Sequence, residues 1–255
     1  MNKSTLKKYN GIVLKQALDQ HGSIEVVETQ LFRQLHFGNK TIQSRQFIDN
    51  PLLLIDQYTQ MMLLPLAWQK PKRVLILGLG GGSLVKFILH HLNNVAVDVI
   101  EMRQGVIDFA YQYFNLKPDA RLNIFTMPAE CFLTESTENQ YDLILMDLFL
   151  TKNTENICVT CQDQYFQLSQ RLTKNGCLSM NILGRHIDDA WTKQLRRFFP
   201  GFQYIIPTRN LNSVMIASKS AFPCLDFHSV RESEEKFGLS FLEYLLDLGD
   251  LNIKV

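Results

Sequence analysis

From about Lys72 onward, short unbroken apolar runs alternate with longer stretches whose apolar residues recur at helical spacing. This rhythm predicts strand 74–77, helix 83–92, strand 95–101, helix 104–114, strand 122–126, helix 129–134, strand 141–147, helix 162–172, strand 177–182 and helix 188–198. Strands separated by helices imply right-handed crossovers and a mostly parallel sheet covered on both faces, an α/β architecture. Two further strand-like runs, 202–207 and 213–218, are separated by Thr208-Arg209-Asn210-Leu211-Asn212 and read as an antiparallel hairpin closing the sheet. The apolar run from Leu239 reads as a short packing or subunit-contact helix.

The pattern before Lys72 is different. Runs at 24–29, 31–37 and 41–44, with turns at Gly22 and Gly38-Asn39, predict a small antiparallel sheet. A helix is expected from Asp49-Asn50-Pro51, carrying Tyr58, Met61, Met62 and Leu64 and breaking near Pro65 and Pro71. The chain therefore divides into residues 1–70, a small N-terminal β-domain with a linking helix, and residues 71–255, the main domain.

Chemistry enters at Val74-Leu75-Ile76-Leu77, followed by Gly78-Leu79-Gly80-Gly81-Gly82-Ser83. A buried strand ending in glycines lets backbone approach a ligand closely, and the next helix turns its first amides toward it. Glu101 stands at the tip of the following strand, where a carboxylate can accept both hydroxyls of a ribose. Together these predict a bound nucleoside; the alternative is a purely structural strand-to-helix turn. Ser83 replaces the third glycine of the dinucleotide pattern, and no Gly-Lys-Ser/Thr ending makes a phosphate loop. Asp147, at the tip of strand 141–147, can orient an amine or take its proton; the alternative is a helix cap.

Composition narrows the partners. Lys and Arg number 26 against 25 Asp and Glu, a net charge of +1 that offers no basic surface for nucleic acid. The N-terminus lacks the apolar core of a secretory signal, and the longest apolar stretch, Met61 to Trp68, contains Pro65 and is too short to span a membrane. A soluble, cytoplasmic protein is expected. Five cysteines, an odd number between Cys131 and Cys224, do not form a disulfide framework. Cys158-Val-Thr-Cys161 could hold a metal or a redox pair, but no second pair completes a zinc site, so no metal is expected.

Gly78-Leu-Gly-Gly-Gly-Ser, Glu101, the segment Tyr141 to Asp147 and Leu35-His-Phe-Gly-Asn-Lys-Thr-Ile-Gln43-Ser44 together resemble spermidine synthase and its relatives, over roughly residues 24 to 218. The resemblance implies a Rossmann-like class I methyltransferase fold preceded by a small N-terminal β-domain. It also implies a homodimer, and aminopropyl transfer from decarboxylated S-adenosylmethionine to an amine. By resemblance, Gln43, Gly78, Leu79, Gly80, Gly81, Glu101, Met102 and Ala129 would hold the nucleoside, Tyr58 would line the amine pocket, and Asp147 would be catalytic. Departures are equally specific. Gly81, Pro128, Leu150 and Thr59-Gln60 stand where the family carries acidic or paired polar groups. Losing those charges predicts weak recognition of dicationic putrescine. Two alternatives stay open: a methyltransferase using S-adenosylmethionine itself, and a non-catalytic relative that kept the core and lost its substrate.

Overall fold

The computed structural model describes residues 6–135, 140–148, 162–183, 189–208, 212–221 and 227–246. Strands β1 (Lys7–Lys8) and β2 (Gly11–Asp19) are joined through Tyr9 and Asn10, whose φ values of 54° and 63° are the left-handed pair of a two-residue hairpin turn. Strands β3 (Gly22–Glu28), β4 (Phe32–His36) and β5 (Ile42–Phe47) complete an antiparallel sheet in sequential order. The three expected runs are β3 to β5. The hydrophobic pattern did not reveal β2, because Ile12, Leu14 and Leu18 are exposed and a bulge between Val13 and Lys15 breaks its alternation.

The linking helix is shorter than expected. Helix α1 (Gln57–Met62) begins well after Pro51 and is followed by a single 3₁₀ turn at Leu64–Ala67. Leu53 closes a separate turn onto the Asn50 carbonyl, 3.2 Å, and Asp56 stays extended. The Asp56 side chain, which could have capped the helix, instead accepts from Arg45 Nε and Nη2 at 3.0 and 2.6 Å.

The larger sheet holds β6 (Arg73–Leu77), β7 (Ala96–Glu101), β8 (Leu122–Thr126), β9 (Tyr141–Met146), β10 (Leu172–Leu183), β11 (Phe202–Pro207) and β12 (Asn212–Ser218), in the order β11-β12-β10-β9-β6-β7-β8. The run from β10 to β8 is parallel, and β12 lies antiparallel between β10 and β11, as the hairpin predicted. Helices α2 (Ser83–His91), α3 (Gln104–Tyr113), α4 (Ala129–Thr134), α5 (Gln162–Arg171) and α6 (Asp189–Phe198) alternate with the strands, and α7 (Phe227–Phe237) and α8 (Leu242–Leu246) follow. Strand β10 starts at Leu172, ahead of the expected 177, through a register shift between Leu172 and Cys177. The C-terminal helix starts at Leu242 rather than Leu239. Helix α7 was not expected, because its apolar residues are few and separated by charged ones, although Val230 and Phe237 are buried in the core.

Each face of the large sheet has its own core. Leu75, Leu77, Ile144 and Met146 meet Phe132, Tyr165 and Leu195 on one side. On the other, Val74, Ile76 and Val97 join Val85, Ile88, Val106 and Phe109 in a core that also includes Ile24, Val26 and Leu35 of the N-terminal sheet. The small sheet is thus fused to the large one through buried apolar contact. Strand order reverses between β6 and β9, and a crevice at that reversal, beyond the C-terminal strand ends, is where such sheets bind ligands. Among the described residues no helix is long and apolar enough to cross a membrane.

Candidate active site

Gly78, immediately after β6, adopts φ +94° and donates its N–H to the Ile100 carbonyl at 2.8 Å. A Cβ built on it would lie 2.2 Å from the Asp147 backbone oxygen. Only glycine therefore lets the end of β9 cross this closely, and Asp147 N–H in turn donates to Leu77 O at 2.9 Å. The turn continues through buried Leu79 to Gly80 and Gly81, which pack on Ser44 of β5.

Glu101 ends β7 directly opposite this turn. Its Oε2 accepts from Leu79 N–H at 3.1 Å and its Oε1 from Arg103 N–H at 2.9 Å. Burial pushes its carboxyl above the usual range, although the Arg103 and Leu79 amides pull it down. Two backbone donors fix the head group, and each carboxylate oxygen keeps a further acceptor position. Next to it Met102 is 40% exposed. Ala129 is buried at the first position of α4, with Pro128 as the extended residue before it.

Gln43 comes from the other sheet. Its neighbour Ser44 contacts the glycine turn, while Gln43 itself falls at the register shift of the β4–β5 ladder, its Nε2 buried with no hydrogen-bond partner among the described residues. Arg103 ties the two sheets together here. It is buried, it donates to both Asp19 oxygens at 2.9 and 2.8 Å and to Gly22 O at 2.8 Å, and its guanidinium lies over the Phe37 ring.

Asp147 lies across the crevice at the end of β9. Asn181 Nδ2 donates to its Oδ1 at 2.8 Å and Tyr58 OH to its Oδ2 at 3.4 Å. Burial is the largest influence and raises the Asp147 carboxyl; the Asn181 and Tyr58 hydrogen bonds oppose it. Burial, with the charges of Asp147 and Asp56, holds the Tyr58 phenol well above its ordinary value, so Tyr58 acts as a neutral donor. Among the described residues the side-chain contacts of Asp147 come from Tyr58 of α1 and Asn181 of β10.

The departures acquire physical content. A Cβ on Gly81 would meet the Phe114 ring at 2.8 Å and Ser44 Oγ at 2.9 Å, so the place of an acidic side chain is filled by protein. Thr59 Oγ1 donates to Asp56 O at 2.6 Å, and Gln60 bonds Leu54 O and Ser240 N at 2.8 and 3.0 Å. Both side chains serve the backbone. Leu150 and the Cys158/Cys161 pair lie outside the described residues, among which no group of three His, Cys, Asp or Glu is arranged to hold a metal.

Sequence reasoning missed Asn181 and Arg103. The first had a partial signal, standing near the end of the expected strand 177–182, but that it lies beside Asp147 follows only from the register of Met180 with Met146. Arg103 carried no such signal, since its partner Asp19 lies in a distant hairpin.

A parallel sheet with a glycine turn after its first strand, an acid after the second and an antiparallel hairpin at its edge defines a protein of the class I methyltransferase fold. The chain belongs to the family of the spermine/spermidine synthase domain, whose model matches residues 56–221. A polyamine aminopropyltransferase of Chromobacterium violaceum is 26% identical over 246 residues, covering 94% of both chains. Among solved structures, a spermidine synthase in complex with the transition-state analogue AdoDATO superposes with a TM-score of 0.70 at 19% identity, covering 94% of this chain and 84% of that one. Human methyltransferase-like protein 13 in complex with SAH superposes at 0.63 and 18% identity, covering 73% and 94%. These two likenesses establish the fold.

Proposed function

We propose that this protein binds a nucleoside of the S-adenosylmethionine type and transfers an aminopropyl group from decarboxylated S-adenosylmethionine to an amine. What supports this is the meeting of Glu101 and Asp147 at one glycine turn, Glu101 through the Leu79 N–H and Asp147 against Gly78, in a chain of the spermine/spermidine synthase family; Gln43 would add its buried amide. Gly78, Leu79, Gly80, Gly81, Met102 and Ala129 would complete the nucleoside side, and Tyr58 the amine side.

The chemistry asks little of the protein. A sulfonium already activates the adjacent methylene, so neither metal nor covalent intermediate is required; the chain's share is to align the amine in line and accept its proton at Asp147. The same proposal treats residues 1–70 as a β-domain with its linking helix and 71–255 as the nucleoside-binding domain, in a cytoplasmic homodimer.

A second reading, methyl transfer from S-adenosylmethionine, is favoured by the closed space at Gly81, which leaves no carboxylate there to select a free aminopropyl ammonium. Calorimetry with S-adenosylmethionine, its decarboxylated form and methylthioadenosine separates the two. Tight binding of the decarboxylated form, with methylthioadenosine released when amines are added, is expected. Preference for S-adenosylmethionine would favour methyl transfer, and binding of none would leave a non-catalytic relative.

A further inference from the structure

The two oxygens of Asp147 are not equivalent. Oδ1 is held by the Asn181 amide at 2.8 Å, whereas among the described residues Oδ2 has only the long Tyr58 contact at 3.4 Å. Asn181 is itself held: Asn212 Nδ2 donates to Asn181 Oδ1 at 2.8 Å. On the antiparallel ladder Asn181 is opposite Val214 and Asn212 opposite Leu183, so the two asparagines are diagonal neighbours on one face. The Asn212 carbonyl is pinned in turn by Thr208, through its N–H at 3.0 Å and its Oγ1 at 2.8 Å. Thr208 is 4% exposed.

The direction of this chain of bonds is set by chemistry. An ionised Asp147 only accepts, so Asn181 must turn its NH₂ toward it and its carbonyl oxygen toward Asn212, which must answer with its own NH₂. Were Asn212 not a donor, the Asn181 amide would be free to rotate and oppose its oxygen to the carboxylate.

We propose that Asn181, held by Asn212, is a positioning residue that locks Asp147 with Oδ1 occupied and Oδ2 as the oxygen that receives the amine proton. The step rests on the aminopropyl-transfer reading. The amine nitrogen bonds to the methylene carbon as the carbon–sulfur bond breaks, its electron pair stays on sulfur, and methylthioadenosine leaves neutral. The proton lost by nitrogen passes to Oδ2. The lock itself is independent of which group is transferred.

Among the described residues, the charged and titratable groups acting on Asp147 are Tyr58 of α1 and Asp56, the latter paired with Arg45 of β5. Removing the Asn181 bond takes away the strongest of the influences that hold the carboxyl down.

The test is a carbon-detected NMR titration of the Asp147 carboxyl in the full chain, in the parent and in Asn181→Leu and Asn212→Asp. The first deletes the bond and the second, close to isosteric, forces the Asn181 amide to turn. Both midpoints should rise by about one pH unit or more, as expected for losing a hydrogen bond to a charged group. Turnover should fall roughly tenfold or more in kcat, with donor affinity unchanged and the acid limb of the pH profile moved to higher pH. An unmoved midpoint in either folded variant overturns the lock. So does an unmoved midpoint in Asn181→Leu accompanied by a raised acceptor KM, which would make Asn181 a substrate contact. Should no amine be turned over by the parent, the transferase reading fails while the midpoint still decides the positioning role.

Discussion

Glu101 and Asp147 are both carboxylates that the fold holds at a cost, since burial is the leading influence on each and raises both above the ordinary range. A carboxyl whose folded value is raised stabilises the protein only below the unfolded value, and that stability is lost as pH rises through the folded one. For Asp147, whose isosteric amide keeps an acceptor for Asn181, Asp147→Asn should therefore raise the thermal midpoint at pH 7 while harming function. For Glu101→Ala we expect nucleoside binding weaker by about 2 kcal/mol in calorimetry, because a carboxylate accepting ribose hydroxyls makes charge-assisted bonds. Unchanged affinity in the folded variant would remove the ribose role. Asp147→Asn keeps the shape but cannot accept a proton. Turnover should drop by about 10²- to 10⁴-fold with nucleoside affinity nearly intact. In the parent, kcat/KM should decline on the acid side at a pH above the ordinary aspartate range, as Asp147 becomes protonated.

At the level of elements, the glycine turn is a crossing point as much as a ligand loop. Gly78→Ala would place a methyl 2.2 Å from the Asp147 carbonyl in a φ of +94°. Left-handed strain alone costs about 1–2 kcal/mol, and the clash adds to it, so the thermal midpoint should fall by several degrees and nucleoside binding should be lost with it. A midpoint equal to that of the parent would mean the strand ends can part without cost. Three residues later, the same turn bears on the acceptor. With Gly81 closed in by Phe114 and with Thr59 and Gln60 bonded to backbone, the described part of the site offers putrescine few carboxylates. Putrescine with the decarboxylated donor should release methylthioadenosine much more slowly than it does with ordinary family members. Equal rates would show that groups elsewhere supply the missing charge.

Across the whole molecule, the proposed nucleoside site depends on two sheets being fixed against each other, because Gln43 belongs to one and Glu101 to the other. Their shared core around Ile24, Val26, Leu35 and Val106 supplies adhesion, and Arg103 with Asp19 supplies register. Asp19→Ala would leave a guanidinium that is 5% exposed without its carboxylate, which typically costs on the order of 3 kcal/mol. Chemical denaturation should show that loss, and calorimetry should show weaker nucleoside binding, because the Arg103 N–H also holds Glu101. A stability change under about 0.5 kcal/mol would mean that Gly22 O and Phe37 suffice as partners for Arg103. The sequence by itself determined the alternation of strands and helices, the glycine turn and the acids at two strand tips. Those signals are local: apolar periodicity and a side chain's place at a strand end are written in neighbouring residues. Only the tertiary structure decided that Asp56 leaves α1 without a side-chain cap, since Arg45 of β5 takes its carboxylate. It also decided that Phe114 and Ser44 close the space at Gly81, that Asn212 fixes Asn181, and that Asp19 reaches Arg103. Each of these depends on which distant residues share a small volume, and that is set by packing of the two sheets rather than by any pattern along the chain.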